Sequence, residues 1–270
     1  MFFWQRSSSE LSKKVIVFTT HKAGSMVLHR VLRDICEQNN IRYHSENQPD
    51  PDRLPVRKMF EGKDYIARHD GCFGPMRFYM PSRALKTANI LLHLRDPRDV
   101  LTSMFFSYCF MHRGDEEPNT GIRKEVAEEG IDRFVLGMSS PDCVRYKGDY
   151  GTGGNYHQHI GNMLERYESY VRELVGRPNV SLVSYETMVL DFPKWLEGVV
   201  SCFELPNHEE TYKFAAATRG HETVKPAAED MFRHKRKVTP GDYKEKLQPE
   251  TIAELNRCFS HVLSALGYST

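Results

Sequence analysis

Short apolar runs that alternate with helical stripes predict an α/β fold, a mostly parallel central sheet flanked by helices. Three observations carry that reading. VIVFTT from Val15 is a compact run of β-branched and apolar residues, suited to a buried strand. HKAGS follows directly, and Leu28, Val31, Leu32 and Ile35 then recur at helical spacing. The same order returns at NILLHL followed by RDPRDV, and at VSLVSY followed by a stripe of Trp195, Leu196, Val199 and Val200.

In chain order, 1–12 reads as a loosely ordered lead-in to a single domain spanning 1–270. The first strand is Val15 to Thr20, and its helix carries the Leu28 to Ile35 stripe. DYIARH, Asp64 to His69, reads as a second strand, and NILLHL, Asn89 to Leu94, as a third. Asp96 caps the next helix, Pro97 sits in its first turn, and Val100, Leu101, Met104, Phe105 and Tyr108 continue the stripe. From Met111 to Thr152 the chain is polar, Gly-rich and weakly periodic, which predicts loops and short helices. A long helix follows, with Ile160, Met163, Leu164, Tyr167, Val171 and Leu174 on its apolar side, before a fourth strand at Val180 to Tyr185. The stretch Arg219 to Tyr243 is irregular, and Ile252, Leu255, Phe259, Val262 and Leu263 mark a last helix.

Charge narrows the chemistry. Among 270 residues, 37 Lys and Arg oppose 36 Asp and Glu, so no global basic field exists to hold nucleic acid or an anionic membrane. Any anion must therefore be held by a local cluster. Cys36, Cys72, Cys109, Cys143, Cys202 and Cys258 form no CxxC pair, which argues against structural zinc and redox motifs and for free thiols. Gln5 and Arg6 interrupt the aromatic N-terminus before any apolar run, and no stretch approaches the roughly 18 apolar residues of a membrane span. The cytoplasm is the expected location.

Two segments hold the chemistry. A strand, a Gly-containing turn with Lys22 and Ser25, then a helix is a P-loop-like arrangement, which points backbone N–H groups and a positive helix end at a phosphate. The nucleoside triphosphate pattern GxxxxGK[ST] is absent, because Lys22 precedes Gly24. In RDPRDVLTS, Arg95 stands where a strand hands over to a helix, and Ser103 lies eight residues on, placed to reach one anion from a second direction. Farther along, HKRKVTPGDYK concentrates His234, Lys235, Arg236, Lys237 and Lys244.

In this order the segments resemble the sulfotransferases that use 3′-phosphoadenosine 5′-phosphosulfate (PAPS). The match is scattered from about residue 15 to residue 244, and RDPRDVLTS is its most specific part. FTTHKAGS is similar to the family's 5′-phosphosulfate loop, which implies that Lys22, Ala23, Gly24, Ser25 and Met26 surround the 5′-phosphate and sulfate. LRDPRDVLTS looks like the 3′-phosphate motif, implying Arg95 and Ser103 as its ligands, and RKVTPGDYK resembles the RKGxxGDWK element, adding Arg236 and Lys237. VSYETM is similar to the segment whose tyrosine lies by the adenine, here Tyr185. IARHDG looks like the family's KTH segment, which implies His69 as the general base, with Lys22 stabilising charge on the leaving phosphate and transferring sulfate. YHQHIGNML resembles the segment with a substrate-pocket histidine and points to His159 and Tyr156. His21 adjoins the loop, and His93, inside an apolar strand, reads as a core histidine.

The resemblance implies an enzyme that moves a sulfuryl group from PAPS to a hydroxyl or amine of a small-molecule acceptor. Adenosine 3′,5′-bisphosphate (PAP) is then released and no metal is required. Two phosphate groups need two anion sites, whereas ATP would leave the second site empty. The sequence departs from the pattern at Ala67, where the family has lysine, at Val27, where an aromatic stacks on adenine, and at Val238, where RKG has glycine. No dimer motif matches near Leu247 to Ile252, which leaves the oligomeric state open. An atypical small-molecule kinase using ATP and Mg²⁺ and a non-catalytic PAP(S)-binding protein are the alternatives.

Overall fold

Along the chain run β1 (Val15–Thr19), α1 (Ser25–Gln38), β2 (Tyr43–His44), α2 (Tyr65–Arg68), β3 (Cys72–Met76), β4 (Asn89–Leu94) and α3 (Pro97–Phe106). Then follow α4 (Thr120–Glu129), α5 (Ile131–Ser139), α6 (Met163–Glu173), β5 (Val180–Ser184), α7 (Tyr185–Leu190), α8 (Phe192–Ser201), α9 (His208–Arg219), α10 (Tyr243–Lys246), α11 (Pro249–Cys258) and α12 (Ser260–Leu266). The structure is a computed structural model and describes residues 13–45, 64–111, 120–140, 163–223, 229–230 and 236–270. It divides into two compact units. The first is Met1–Thr20, Gly24–Leu94 and Arg177–Thr223, and the second is His21–Ala23, Arg95–Gly176 and Val224–Thr270.

The first unit contains the sheet, five strands in the order β2-β3-β1-β4-β5 with every pairing parallel. Val15, Ile16, Val17 and Phe18 are all fully buried, as a run without polar alternation requires of a central strand. One face packs its Val15, Val17 and Leu91 against α1 (Leu28, Val31, Leu32, Ile35) and α8 (Trp195, Leu196, Val199, Val200). Cys36, Cys72 and Cys202 are buried in this core as free thiols; burial raises the Cys72 thiol and pushes Cys202 up to about 12.

DYIARH is not a strand. The Asp64 carboxylate accepts from the Ala67 N–H and from the Arg83 N–H, and also from the Ser82 hydroxyl, so it caps the short helix α2. The strand falls on CFGPM, whose glycine and proline disguise it. Gly74 is there for space, since a Cβ would lie 2.4 Å from the Val17 carbonyl oxygen of the neighbouring strand. β2 and α9 are likewise absent from the sequence reading, and the last helix is two, α11 and α12, with Phe259 between them.

In the second unit, α3 runs from Asp96, whose carboxylate accepts from the Arg98 N–H, with Pro97 at its first position. Phe105 on α3 packs on Phe134 of α5, and Tyr167 on α6 meets Phe259 edge-on. Arg98 is 1% exposed: its guanidinium bonds the Asp96 carboxylate, Asn256 Oδ1 at 2.6 Å and the Ser269 carbonyl at 2.8 Å, and lies over the Tyr243 ring. It is a structural arginine joining α3 to the C-terminal helices.

Candidate active site

The turn after β1 begins in the second unit with His21, Lys22 and Ala23. Lys22 adopts φ +61°, a left-handed backbone that tightens the turn. Arg95, which follows β4, is buried and donates from Nη1 to the Lys22 carbonyl at 3.0 Å. Two segments 73 residues apart are thereby joined. A second guanidinium nitrogen of Arg95 stands 3.4 Å from Asp99 one turn on, inside α3.

Asp99 is 1% exposed and also accepts from the backbone N–H of Gly241 at 2.7 Å and of Tyr243 at 3.0 Å. That carboxylate therefore fixes the segment carrying Arg236 and Lys237 against the helix that carries Ser103. Arg236 is buried over the Phe106 ring and pairs with Asp242 and Glu229; Lys237 pairs with Asp242 at 2.9 Å and with Glu245. The two cations hold the Asp242 carboxyl below its usual range against the opposing effect of burial, while Glu245 and Asp242 raise the Lys237 ammonium. Ser103 is half-buried on the second turn of α3. Lys22, Arg95, Ser103, Arg236 and Lys237 thus belong to one unit, in which Arg95, Arg236 and Lys237 are braced by carboxylates.

In the first unit, Gly24 precedes α1 in a left-handed conformation, φ +76°. A Cβ there would lie 2.5 Å from Met188 Cε and 3.2 Å from Tyr185 Cδ2, so the position requires glycine for backbone and space alike. Tyr185 is buried at the head of α7, whose capping Ser184 hydroxyl accepts from the Thr187 N–H. Ser25 is buried and Met26 is exposed, and Ala23, in the second unit, is buried as well. The first turn of α1 holds no acidic residue, leaving its positive end uncompensated from within.

His69 lies elsewhere in the first unit. Val15 at the start of β1 donates to the Gly71 carbonyl, and the Lys14 ammonium bonds the His69 carbonyl and Asp70. His69 is therefore at the amino-terminal edge of the sheet, with Nδ1 2.9 Å from the Tyr65 carbonyl and its ring stacked on Tyr65. Gly24 and Ser25 follow the carboxyl end of β1, about 16 Å of strand away, and open parallel sheets hold ligands at that edge. This position does not meet the requirement for a base at the loop.

The residue beyond the carboxyl end of β3 is Arg77, whose Nη2 donates to Ser25 Oγ at 3.4 Å. Sequence reasoning passed over it because the strand had been placed at DYIARH. Arg166 on α6, which donates to His21 Nδ1, and Asp99 were also missed; a charged residue beside the apolar stripe of each helix was the signal. His159 and Tyr156 lie outside the described residues. His93 is fully buried beside Trp195, with neither ring nitrogen hydrogen-bonded, and burial lowers its pKa to about 3. Among the described residues, no group of three or more His, Cys, Asp or Glu is placed to hold a metal ion, and no helix is long and apolar enough to cross a membrane.

Among solved structures the chain is similar to mouse sulfotransferase SULT7A1 complexed with PAP, at 19% identity and TM-score 0.60, covering 93% of this chain and 84% of that one. It is also similar to retinol dehydratase in complex with retinol and PAP, at 15% identity and TM-score 0.51, covering 95% and 83%. A second retinol dehydratase structure, with androsterone and PAP, gives 15% identity and TM-score 0.52, covering 95% and 82%. No curated protein matches the chain. The sulfotransferase domain model matches residues 12–267, and with nearly the whole chain so covered, the protein belongs to the sulfotransferase family.

Proposed function

We propose that the protein transfers a sulfuryl group from PAPS to a hydroxyl or amine of a small-molecule acceptor and releases PAP. The observation that carries this reading is the bond from Arg95 to the Lys22 carbonyl, which joins the 5′-phosphosulfate turn to the helix of the 3′-phosphate motif. Arg95, Ser103, Arg236 and Lys237 are the 3′-phosphate ligands, Lys22 to Met26 with Arg77 the 5′-phosphosulfate ligands, and Tyr185 the adenine neighbour. The small apolar ligands named with retinol dehydratase support an acceptor of that size.

Sulfuryl transfer resembles phosphoryl transfer in needing positioning and charge stabilisation above all. Lys22 then acts on the oxygen that keeps the electron pair of the breaking bond. PAP at 100 times its Kd is expected to stabilise the protein by roughly 2.7 kcal/mol in thermal unfolding, and ADP with Mg²⁺ not to. Arg95→Ala should abolish the PAP effect. Stabilisation by ADP with Mg²⁺ alone would replace this reading with a kinase.

A further inference from the structure

Within the second unit, Arg236 carries two carboxylates of different kinds. Its Nη2 pairs with Asp242, whose side chain is 2% exposed and which also takes the Lys237 ammonium at 2.9 Å. Its Nη1 pairs with Glu229, whose side chain is 28% exposed. The other oxygen of Glu229 accepts from the Lys246 ammonium, 3.1 Å away at the end of α10. Both cations lie over the Phe106 ring, the Arg236 guanidinium 4.1 Å and the Lys246 nitrogen 5.8 Å from its centroid. The Glu229 carboxylate thus bridges two cations that share one aromatic ring, one oxygen to each.

Asp242 is a permanent partner, because a carboxylate so buried has no water to turn to when its cations leave. Glu229 reaches solvent, and a partly exposed pair costs little to open. Its main chain is held beside Arg236, since the Asp230 N–H donates to the Arg236 carbonyl at 3.2 Å. Opening therefore requires only a swing of the Glu229 side chain. A carboxylate with one oxygen on a guanidinium and the other on an ammonium makes the same kind of contacts as a phosphate. Two such anions compete for the same donors and repel each other at that range.

We propose that Glu229 holds the place of the 3′-phosphate in the free protein, and that the entering phosphate displaces it and takes both Arg236 and Lys246. Lys246 is thereby a further 3′-phosphate ligand. The proposal rests on the PAPS reading, in which Arg236 binds that group. The exchange lowers affinity for the nucleotide, but it keeps two cations in position with a counter-ion until the nucleotide arrives. A nucleotide without a 3′-phosphate leaves Glu229 where it is.

Calorimetry with PAP and with adenosine 5′-phosphate, which lacks the 3′-phosphate, tests the exchange. Glu229→Gln keeps the shape and removes the charge, and it is expected to bind PAP about fivefold more tightly while adenosine 5′-phosphate stays within about twofold. In that variant a further Lys246→Met should weaken PAP about fivefold and again spare adenosine 5′-phosphate. Unchanged or weaker PAP binding by Glu229→Gln, or an equal change for both nucleotides, would make Glu229 a structural brace and overturn the proposal while the PAPS reading stands. No loss from Lys246→Met would overturn it equally. If neither the unaltered protein nor Glu229→Gln binds PAP, the PAPS reading falls and the proposal with it. A second measurement needs no variant: carbodiimide and an amine label carboxylates that have left their partners. By peptide mass spectrometry Glu229 should be labelled several-fold faster with PAP bound than without, while Asp242 stays protected, and unchanged or slower labelling of Glu229 would refute the exchange.

Discussion

Val238 holds φ +51°, a left-handed backbone that a β-branched side chain adopts only under strain. Such a residue costs of order 1–3 kcal/mol, more than the entropy glycine loses there. Val238→Gly is therefore expected to stabilise the protein by about 1 kcal/mol, read as a higher midpoint in urea. His93 makes the opposite point about a buried polar group. Its pKa is lowered to about 3 in the folded chain, so between pH 6.5 and about 3 the unfolded state takes a proton that the folded state refuses. Stability should consequently fall with decreasing pH across that window, by at most about 1.4 kcal/mol per unit. His93→Leu should flatten this acid limb in denaturant midpoints measured from pH 6 to pH 4.

Helix α3 concentrates two tasks on successive residues. Arg95 and Asp99 hold the turn and the basic segment, while Arg98 holds the C-terminal helices. Asp99→Ala removes the acceptor of two backbone N–H groups and the partner of a buried guanidinium, and about 3–5 kcal/mol of stability should go with it. PAP affinity should fall in the same variant, as titration of the surviving folded protein would reveal. At the head of α1, Gly24→Ala meets both a left-handed backbone that a Cβ strains and Met188, and thermal unfolding should register a loss of about 1–3 kcal/mol. The strand runs VIVFTT and NILLHL were legible because full burial leaves an uninterrupted apolar signature, and VSLVS, a partly exposed edge strand, was legible from its β-branched residues. CFGPM was not, since its glycine answers to a neighbouring strand's carbonyl, a contact no local pattern encodes. The misplacement carried over to the site: with the strand set at DYIARH, His69 took the place that the topology gives to the Arg77 segment. Lys22, Arg95 and Arg236 were readable from their motifs, whereas the Arg166 bond to His21 depends on tertiary placement alone.

Across the whole chain, Lys and Arg exceed Asp and Glu by one, and the cations of the candidate site are braced by carboxylates. Anion recognition here is local, so duplex DNA should not be retained at 0.15 M salt, as a mobility-shift assay would register. The three thiols buried in the first unit have a further use. Cys36, Cys72 and Cys202 line one core, sealed by α1, β3 and the end of α8, whereas Cys109 and Cys258 are half-exposed. An alkylating reagent meets the first three only when that core opens, and Cys72 and Cys202 resist ionising until then. Nature has thus built a stopwatch into the sheet: the rate at which these sulfurs become labelled, followed peptide by peptide, times how often the molecule comes apart.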